Sequence, residues 1–458
     1  MSERRLLLMF GDTLCVTLAG FIALYVWSTR ATVEFTSEFV IEQLYLFVGL
    51  IGLWLLIAGA NDFFELSVAA NRMVSLQKLS LITLQMLVIY LLVFFFSPRD
   101  ALPRLFIVYY GVASFILLMA WRLVNPALIG WASTRRRILI IGADASAQTL
   151  IEAIREHGTE AYEICGIIGG PDDVGKVICD VPVIGAGNDL LNFVRRDRIR
   201  ELVITAIPDM GGDVFRSVMK AYEDGVALVP MPIVYERITG RVPVRHVNNN
   251  WAVVLPIDAQ SSFDPYPVFQ RMLDIVFGLL GLIVFLVLLP FLALAIRLDS
   301  RGSIFYGQTR TGLNGRNFRI FKFRSMIQDA EAKTGPVFSN RHDPRITRIG
   351  HFMRRTRLDE LPQVVNVLRG DMSIVGPRPE RPEHIDRLTQ EIPFYRTRLV
   401  VRPGLTGWAQ VRYDYGSNDV DALVKLEYDL YYIRNQSILL DLNIIVRTVG
   451  KVVRMAGV

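Results

Sequence analysis

The sequence predicts a membrane protein of mixed α and α/β class, on three observations. Hydrophobic residues make up 52% of the 458-residue chain, above the usual share for a soluble protein. Four long apolar runs fill the first 130 residues. Between residues 137 and 230, short runs rich in Ile, Leu and Val alternate with helical patterns, as in a parallel sheet with crossover helices. The length leaves room for two or three domains. The boundaries expected are a four-helix transmembrane region 1–130, an α/β domain 131–235, a linker 236–270 and a C-terminal domain 271–458.

The apolar runs are Leu6–Trp27, Leu44–Ala60, Leu79–Phe96 and Leu105–Trp121, each near the length that crosses a bilayer. The first is too long for a signal peptide and lacks a small-residue cleavage site. Arg4 and Arg5 precede it, and Glu34, Glu38 and Glu42 outweigh Arg30 in the loop that follows. Arg72 and Lys78 follow the second run, and Arg135, Arg136 and Arg137 follow the fourth. The positive-inside rule then places both ends in the cytoplasm, with Arg99 and Arg104 running against it. Asp12, near the start of the first run, is expected at the interface. Cys15, Cys165 and Cys179 are too few and too scattered for a disulfide framework or a zinc site. The net charge of +6 suits an anionic lipid surface or anionic substrates. No nucleic-acid partner is expected.

In the middle of the chain Arg137–Ile141 reads as a strand, and Gly142-Ala143-Asp144 turns into a helix near Ala145–Glu156. Strands are expected at Glu163–Ile168, Glu201–Ile207 and Val226–Pro230, with helices near Asp189–Arg196 and Val214–Asp224. This is a Rossmann-like alternation. Its glycine fingerprint is degraded, with one glycine in Gly142–Ala147 where a dinucleotide loop carries three. A structural, dimer-forming or regulatory role is expected for this domain. Pro230, Pro232, Gly240, Pro243 and the run Asn248-Asn249-Asn250 mark the linker.

The apolar stretch enclosed by Arg271 and Arg297 is long enough to span. Both flanks are basic, which opposes crossing, and Pro290 lies inside it. These features predict a re-entrant helix, 272–297, broken at Pro290, that enters and leaves by the same face. The alternative is an ordinary kinked spanning helix.

The stretch Arg354–Glu380 carries the candidate chemistry. Arg354, Arg355 and Arg357 precede the adjacent carboxylates Asp359 and Glu360. A short helix follows, with Pro362 in its first turn, Leu361, Val364, Val365 and Leu368 on one face and Gly370 as its stop. Carboxylates at a helix start, flanked by arginines, are held ionised. An ionised Asp is a potential nucleophile and its neighbour a potential metal ligand. Arginine forks match phosphate oxygens. A capped amphipathic helix with solvated arginines fits the same residues.

Longer motifs separate these readings. LDELPQ, NVLRGDMSIVGPRPE and RPGLTGWAQV (Arg402–Val411), with KFRSM (Lys322–Met326) and GQTRTG (Gly307–Gly312), resemble the bacterial polyprenyl-phosphate hexose-1-phosphate transferases. The resemblance runs from about Arg271 to the C-terminus, and the middle of the chain resembles the CoA- or nucleotide-binding-like domain of the larger members. It implies a monotopic α/β catalytic domain anchored by a helix broken at a proline. Many members carry Ser before that proline, where this chain has Leu289.

The resemblance also implies the reaction. Sugar-1-phosphate passes from a UDP-sugar to undecaprenyl phosphate with release of UMP. Asp359 attacks the phosphate and forms a covalent intermediate, and Glu360 holds Mg²⁺. Lys322, Arg324, Arg354, Arg378, Arg402 and Gln410 are the candidates for phosphate contacts. The C-terminal segment Leu426–Val453 is read as amphipathic helices on the inner leaflet, among membrane lipids. A homodimer in the bacterial inner membrane is expected, its catalytic domain on the cytoplasmic face. Asp329, Glu331 and Asp343 receive no role, and the sugar stays open. Two rivals are a membrane-bound nucleotide-sugar dehydratase or epimerase and a non-enzymatic assembly scaffold. The first needs an intact glycine fingerprint and a Tyr-x-x-x-Lys pair, and the C-terminal half offers neither in a βαβ context.

Overall fold

The computed structural model describes residues 3–31, 34–61, 63–64, 68–69, 71–96, 105–128, 135–159, 161–205, 212–246, 264–328, 343–413 and 419–453. Arg99, Arg104, Asn248–Asn250, Asp329 and Glu331 lie outside them. The chain divides into two units, Met1–Arg135 and Arg136–Val458.

The first unit is helical: α1 (Glu3–Ala31), α2 (Ser37–Glu42), α3 (Leu44–Ala60), α4 (Arg72–Phe96) and α5 (Phe106–Leu128). Three of the four expected N-terminal spans, in α1, α4 and α5, are long and apolar enough to cross a membrane, whereas α3 is a shorter apolar helix. Asp12, expected at the interface, lies inside the helical unit. It is fully buried and bonded to Arg122 of α5, with Nε to Oδ1 at 3.2 Å and Nη2 to Oδ2 at 2.5 Å. Arg122 also donates to the Phe63 carbonyl at 3.1 Å and lies 3.8 Å from the Phe63 ring centre.

The second unit begins with a six-stranded sheet. Its strands are β1 (Arg136–Ile141), β2 (Tyr162–Gly169), β3 (Val177–Ile178), β4 (Val181–Ala186), β5 (Glu201–Ile204) and β6 (Ala227–Pro230), in the order β3-β4-β2-β1-β5-β6. All neighbours are parallel except β3 and β4. Alternation along β1 separates two cores. Ile138 and Ile140 pack with α6 (Ala145–Ala153) and α9 (Met231–Thr239). Leu139 and Ile141 pack with α7 (Leu190–Arg196) and α8 (Gly212–Glu223). Helices therefore cover both faces, as the alternation of patterns demands. The β3–β4 hairpin was not expected from the sequence. Its two-residue turn holds Cys179 and Asp180 at φ 46° and 57°, the left-handed pair that matches strand twist.

Residues 240–246, expected as linker, belong to the C-terminal core. Val242 and Val244 are buried with Trp408, Leu426 and Ile444. The Trp408 indole donates to the Gly240 carbonyl at 3.1 Å, and Arg434 pairs with Glu236 at 2.9 Å.

The long apolar segment forms α10 (Tyr266–Asp299). The helix runs on through Pro290, so the expected break does not interrupt it. Near its start, Arg271 donates to the Val367 and Leu368 carbonyls at 2.8 and 2.7 Å, and Asp274 accepts from Ser373 Oγ and the Ile374 amide. Further along the packing is close: a Cβ at Gly278 or Gly281 would lie 2.8 Å from the Leu368 or Val364 side chain, which would have to shift. At the far end Asp299 accepts from the Ile349 amide at 2.9 Å. The face carrying Leu279, Leu280, Ile283, Val287, Phe291 and Leu294 is exposed.

Next come the antiparallel pair β7 (Phe305–Thr311) and β8 (Asn317–Phe323), helix α11 (Arg348–Thr356), a 3₁₀ turn (Leu358–Gln363) and α12 (Val364–Arg369). Strand β9 (Ser373–Val375) pairs in parallel with β10 (Gly404–Thr406), across α13 (Pro382–Glu391) and a 3₁₀ turn (Tyr395–Val400). The chain closes with α14 (Trp408–Arg412), α15 (Asp419–Arg434) and α16 (Ile438–Val453).

Candidate active site

Arg357 ends α11 in the left-handed conformation, φ 60°, and turns the chain into the 3₁₀ segment that carries Asp359 and Glu360. The tighter turn starts the helix expected here, and Gly370, at φ 90°, ends it. Both carboxylates are only 7% exposed.

Their surroundings differ. Glu360 Oε1 accepts from Lys322 Nζ of β8 at 2.8 Å and from Arg378 Nη2 at 2.7 Å, and Arg357 faces Oε2 at 3.7 Å. Burial alone would raise the Glu360 pKa, but Arg378, Lys322 and Arg357 outweigh it and hold the group well below the usual carboxylate range. Asp359 Oδ1 is buried with no hydrogen-bond partner. Burial first, and the Glu360 charge second, push Asp359 up to about 6, against Lys322, Arg354 and Arg357.

Of the candidates named from the sequence, the fold brings together Asp359, Glu360, Lys322, Arg354 and Arg378. Arg354 acts on Asp359 electrostatically and donates to Ser325 Oγ at 2.9 Å. Arg324 is turned elsewhere. Its guanidinium donates to the Ser300 and Arg301 carbonyls at 2.7 and 3.0 Å and ties down the end of α10. Arg402, half-buried, acts on Asp274 of α10. Gln410 of α14 donates to the Leu405 carbonyl at 3.3 Å, and its buried Oε1 has no partner. Pro290 lies on an exposed position of α10. Asp343 pairs with Arg345 at 2.6 Å.

Three residues absent from the sequence-derived set stand behind the site: Arg310, Arg398 and Asp429. Arg310 donates to the Pro379 carbonyl at 3.2 Å, and Arg398 to the Arg378 carbonyl at 3.0 Å and to Asp429 at 2.8 Å. Arg310 sits inside a motif and was discoverable. Nothing local marks Asp429, 31 positions from its partner.

Four cations around two carboxylates leave the site positive, which favours phosphate groups. No group of three or more His, Cys, Asp or Glu side chains able to hold a metal occurs among the described residues. The donors present still fit Mg²⁺ arriving with a diphosphate, because Mg²⁺ at such sites takes one or two carboxylates and completes its shell with phosphate oxygens and water. Asp359 Oδ1 is an unpartnered hard oxygen donor of that kind, whereas Glu360 Oε1 already accepts from Lys322 and Arg378, so Mg²⁺ at Glu360 would displace one of them.

A domain carrying a long apolar helix that sets a buried carboxylate, one of whose oxygens has no hydrogen-bond partner, among cations has the equipment of a group-transfer enzyme acting on phosphates. Comparison with known proteins gives the family. Residues 265–455 match the bacterial sugar transferase family, and residues 59–231 match a CoA-binding domain. The chain is 30% identical over 434 residues to the UDP-glucose:undecaprenyl-phosphate glucose-1-phosphate transferase of Klebsiella pneumoniae, covering 91% of this chain and 90% of that protein. It is 31% identical over 370 residues to the enzyme of the same name from Escherichia coli (strain K12), 79% of this chain and 77% of that protein. It is 38% identical over 252 residues to the UDP-N-acetylgalactosamine-undecaprenyl-phosphate N-acetylgalactosaminephosphotransferase of Aeromonas hydrophila, 54% of this chain and 57% of that protein. The chain belongs to the bacterial sugar transferase family and is a transferase.

Proposed function

We propose that this enzyme transfers a sugar-1-phosphate from a UDP-sugar to undecaprenyl phosphate and releases UMP. The observation that carries the reading is Asp359, whose buried Oδ1 has no partner beside a Glu360 locked by Lys322 and Arg378. Asp359 attacks the phosphorus that bears the sugar. The bond from that phosphorus to the bridging oxygen breaks, and UMP leaves with the electron pair. An oxygen of undecaprenyl phosphate then attacks the same phosphorus, which restores the carboxylate and leaves a sugar diphosphate on the lipid. Lys322, Arg354, Arg357 and Arg378 stabilise the charge that develops on the phosphate oxygens. Mg²⁺, held by Glu360 when bound, neutralises diphosphate charge.

The site must sit where an aqueous nucleotide sugar meets a lipid phosphate, and α10 supplies that place. We propose that it is re-entrant, entering and leaving by one face without a break in the helix at Pro290, because side chains near both of its ends bond to the same domain. The enzyme is then a multi-pass protein of the bacterial inner membrane with its catalytic domain on the cytoplasmic face. The six-stranded sheet serves as a Rossmann-like domain with a structural, dimer-forming or regulatory role.

The test is UMP release from a panel of UDP-sugars with undecaprenyl phosphate, with and without Mg²⁺, and trapping of labelled sugar phosphate on the protein. Asp359→Asn is expected to abolish both label and turnover. Wild-type turnover in that variant would remove Asp359 as nucleophile.

A further inference from the structure

The loop Gly376–Glu380 places Arg378 on Glu360 but has few bonds of its own. Pro377 and Pro379 lack backbone donors. Each carbonyl from Pro377 to Glu380 is instead taken by a donor from elsewhere in the domain. The Pro377 carbonyl accepts from the Gly404 amide at 2.8 Å and the Glu380 carbonyl from the Thr311 amide at 2.9 Å. The Pro379 carbonyl accepts from Arg310 at 3.2 Å and the Arg378 carbonyl from Arg398 at 3.0 Å. Arg398 is 6% exposed, and its fork also bonds Tyr395 Oη at 2.7 Å and Asp429 Oδ2 at 2.8 Å. Asp429 is 2% exposed.

A buried ion pair is commonly no more stabilising than an apolar pair of the same volume, because desolvation offsets the attraction. A reason for this pair other than stability is what it touches. We propose that Arg398 and Asp429 are positioning residues, holding the backbone of Arg378 so that its guanidinium meets Glu360 and, through Glu360, sets the surroundings of Asp359. The proposal rests on the reading of Asp359 and Glu360 as the phosphate-transfer centre. The chain of contact is short: Asp429 to Arg398, Arg398 to the Arg378 carbonyl, Arg378 Nη2 to Glu360 Oε1 at 2.7 Å. A misplacement of about 1 Å at such a site costs roughly 10²-fold in rate.

The test uses the full chain in lipid nanodiscs with Arg398→Met/Asp429→Leu, which exchanges the ion pair for an apolar one of similar volume. The melting temperature is expected to stay near that of the wild type, while UMP release falls roughly 10²-fold. In an Arg378→Ala background the same exchange is expected to cause no further loss, because Arg398 acts only through Arg378. The acid limb of the pH–rate profile moves to higher pH, since the ionised carboxylate pair has lost a well-placed cation. Undiminished turnover, or losses that multiply with Arg378→Ala, would overturn the proposal. A crystal structure of the variant decides independently of activity: Arg378 still at hydrogen-bond distance from Glu360 rejects the positioning role, and its withdrawal supports it. Should the wild type release no UMP from any UDP-sugar, the functional reading fails while that structural comparison still decides the positioning. If the double variant does not fold, Asp429→Asn is read on the same cycle with the same two outcomes.

Discussion

Asp359 and Glu360 are neighbours in the chain with similar intrinsic acidity, and their surroundings drive them apart. Glu360 meets Lys322 and Arg378 at hydrogen-bond distance, whereas Asp359 keeps a buried oxygen that nothing binds. The adjacency and the abundance of arginine were legible in the sequence. The division of labour was not, because it depends on which cations a 3₁₀ turn and a distant loop deliver to which carboxylate. A nucleophile must be ionised, so the value of about 6 for Asp359 sets an acid limb. The logarithm of kcat/KM measured from pH 5 to 8 is expected to fall about tenfold per unit below that midpoint. A profile flat down to pH 5 would exclude Asp359 as the titrating base. The stability sign is opposite. The folded pKa lies above the ordinary 3.8, so the neutral form favours folding below that value and the benefit is lost as pH rises through about 6. Ionised Asp359 therefore opposes folding, and Asp359→Asn is expected to melt no lower than wild type at neutral pH while losing turnover.

At the scale of elements, periodicity served well where segments are long or strongly patterned. The strands around Arg137–Ile141 and Glu201–Ile204, the helices between them and the stop at Gly370 lie where β-branched runs and glycine signals put them. It failed where pairing is remote or strands are short. The two-residue β3 carries too little pattern to read, and 240–246 looked like linker because Pro and Gly mark turns wherever they occur, buried or not. The buried pairing of Asp12 was illegible for a similar reason, since its partner Arg122 lies 110 positions away. That pair joins α1 to α5 inside an apolar bundle. Arg122→Ala strands the Asp12 carboxylate without its counter-charge, and uncompensated buried charge costs about 3–5 kcal/mol. Thermal unfolding in detergent is expected to shift clearly downward for Arg122→Ala and far less for Asp12→Leu/Arg122→Met. Equal melting of Arg122→Ala and wild type would mean the pair is dispensable to the bundle.

At the scale of the whole molecule the decisive question is on which side of the bilayer each end of α10 lies. A straight helix of 34 residues is about 51 Å long and exceeds the hydrocarbon core of about 30 Å. Were it to span, its two ends would face opposite compartments. Yet its start bonds to Val367, Leu368 and Ile374, and its end bonds to Ile349 and, through Ser300, to Arg324. All of these belong to one folded unit, and β8, which ends one residue before Arg324, carries Lys322 into the site. Two ends held by one folded unit predict a helix whose ends face the same compartment. Single cysteines at Asp264 and Ser303, both exposed, test this in a chain whose Cys15, Cys165 and Cys179 are replaced. A membrane-impermeant maleimide is expected to label both positions in inside-out vesicles and neither in right-side-out vesicles. Labelling of Ser303→Cys from the outer side alone would make α10 a spanning helix and separate Asp359 from the compartment that holds nucleotide sugars.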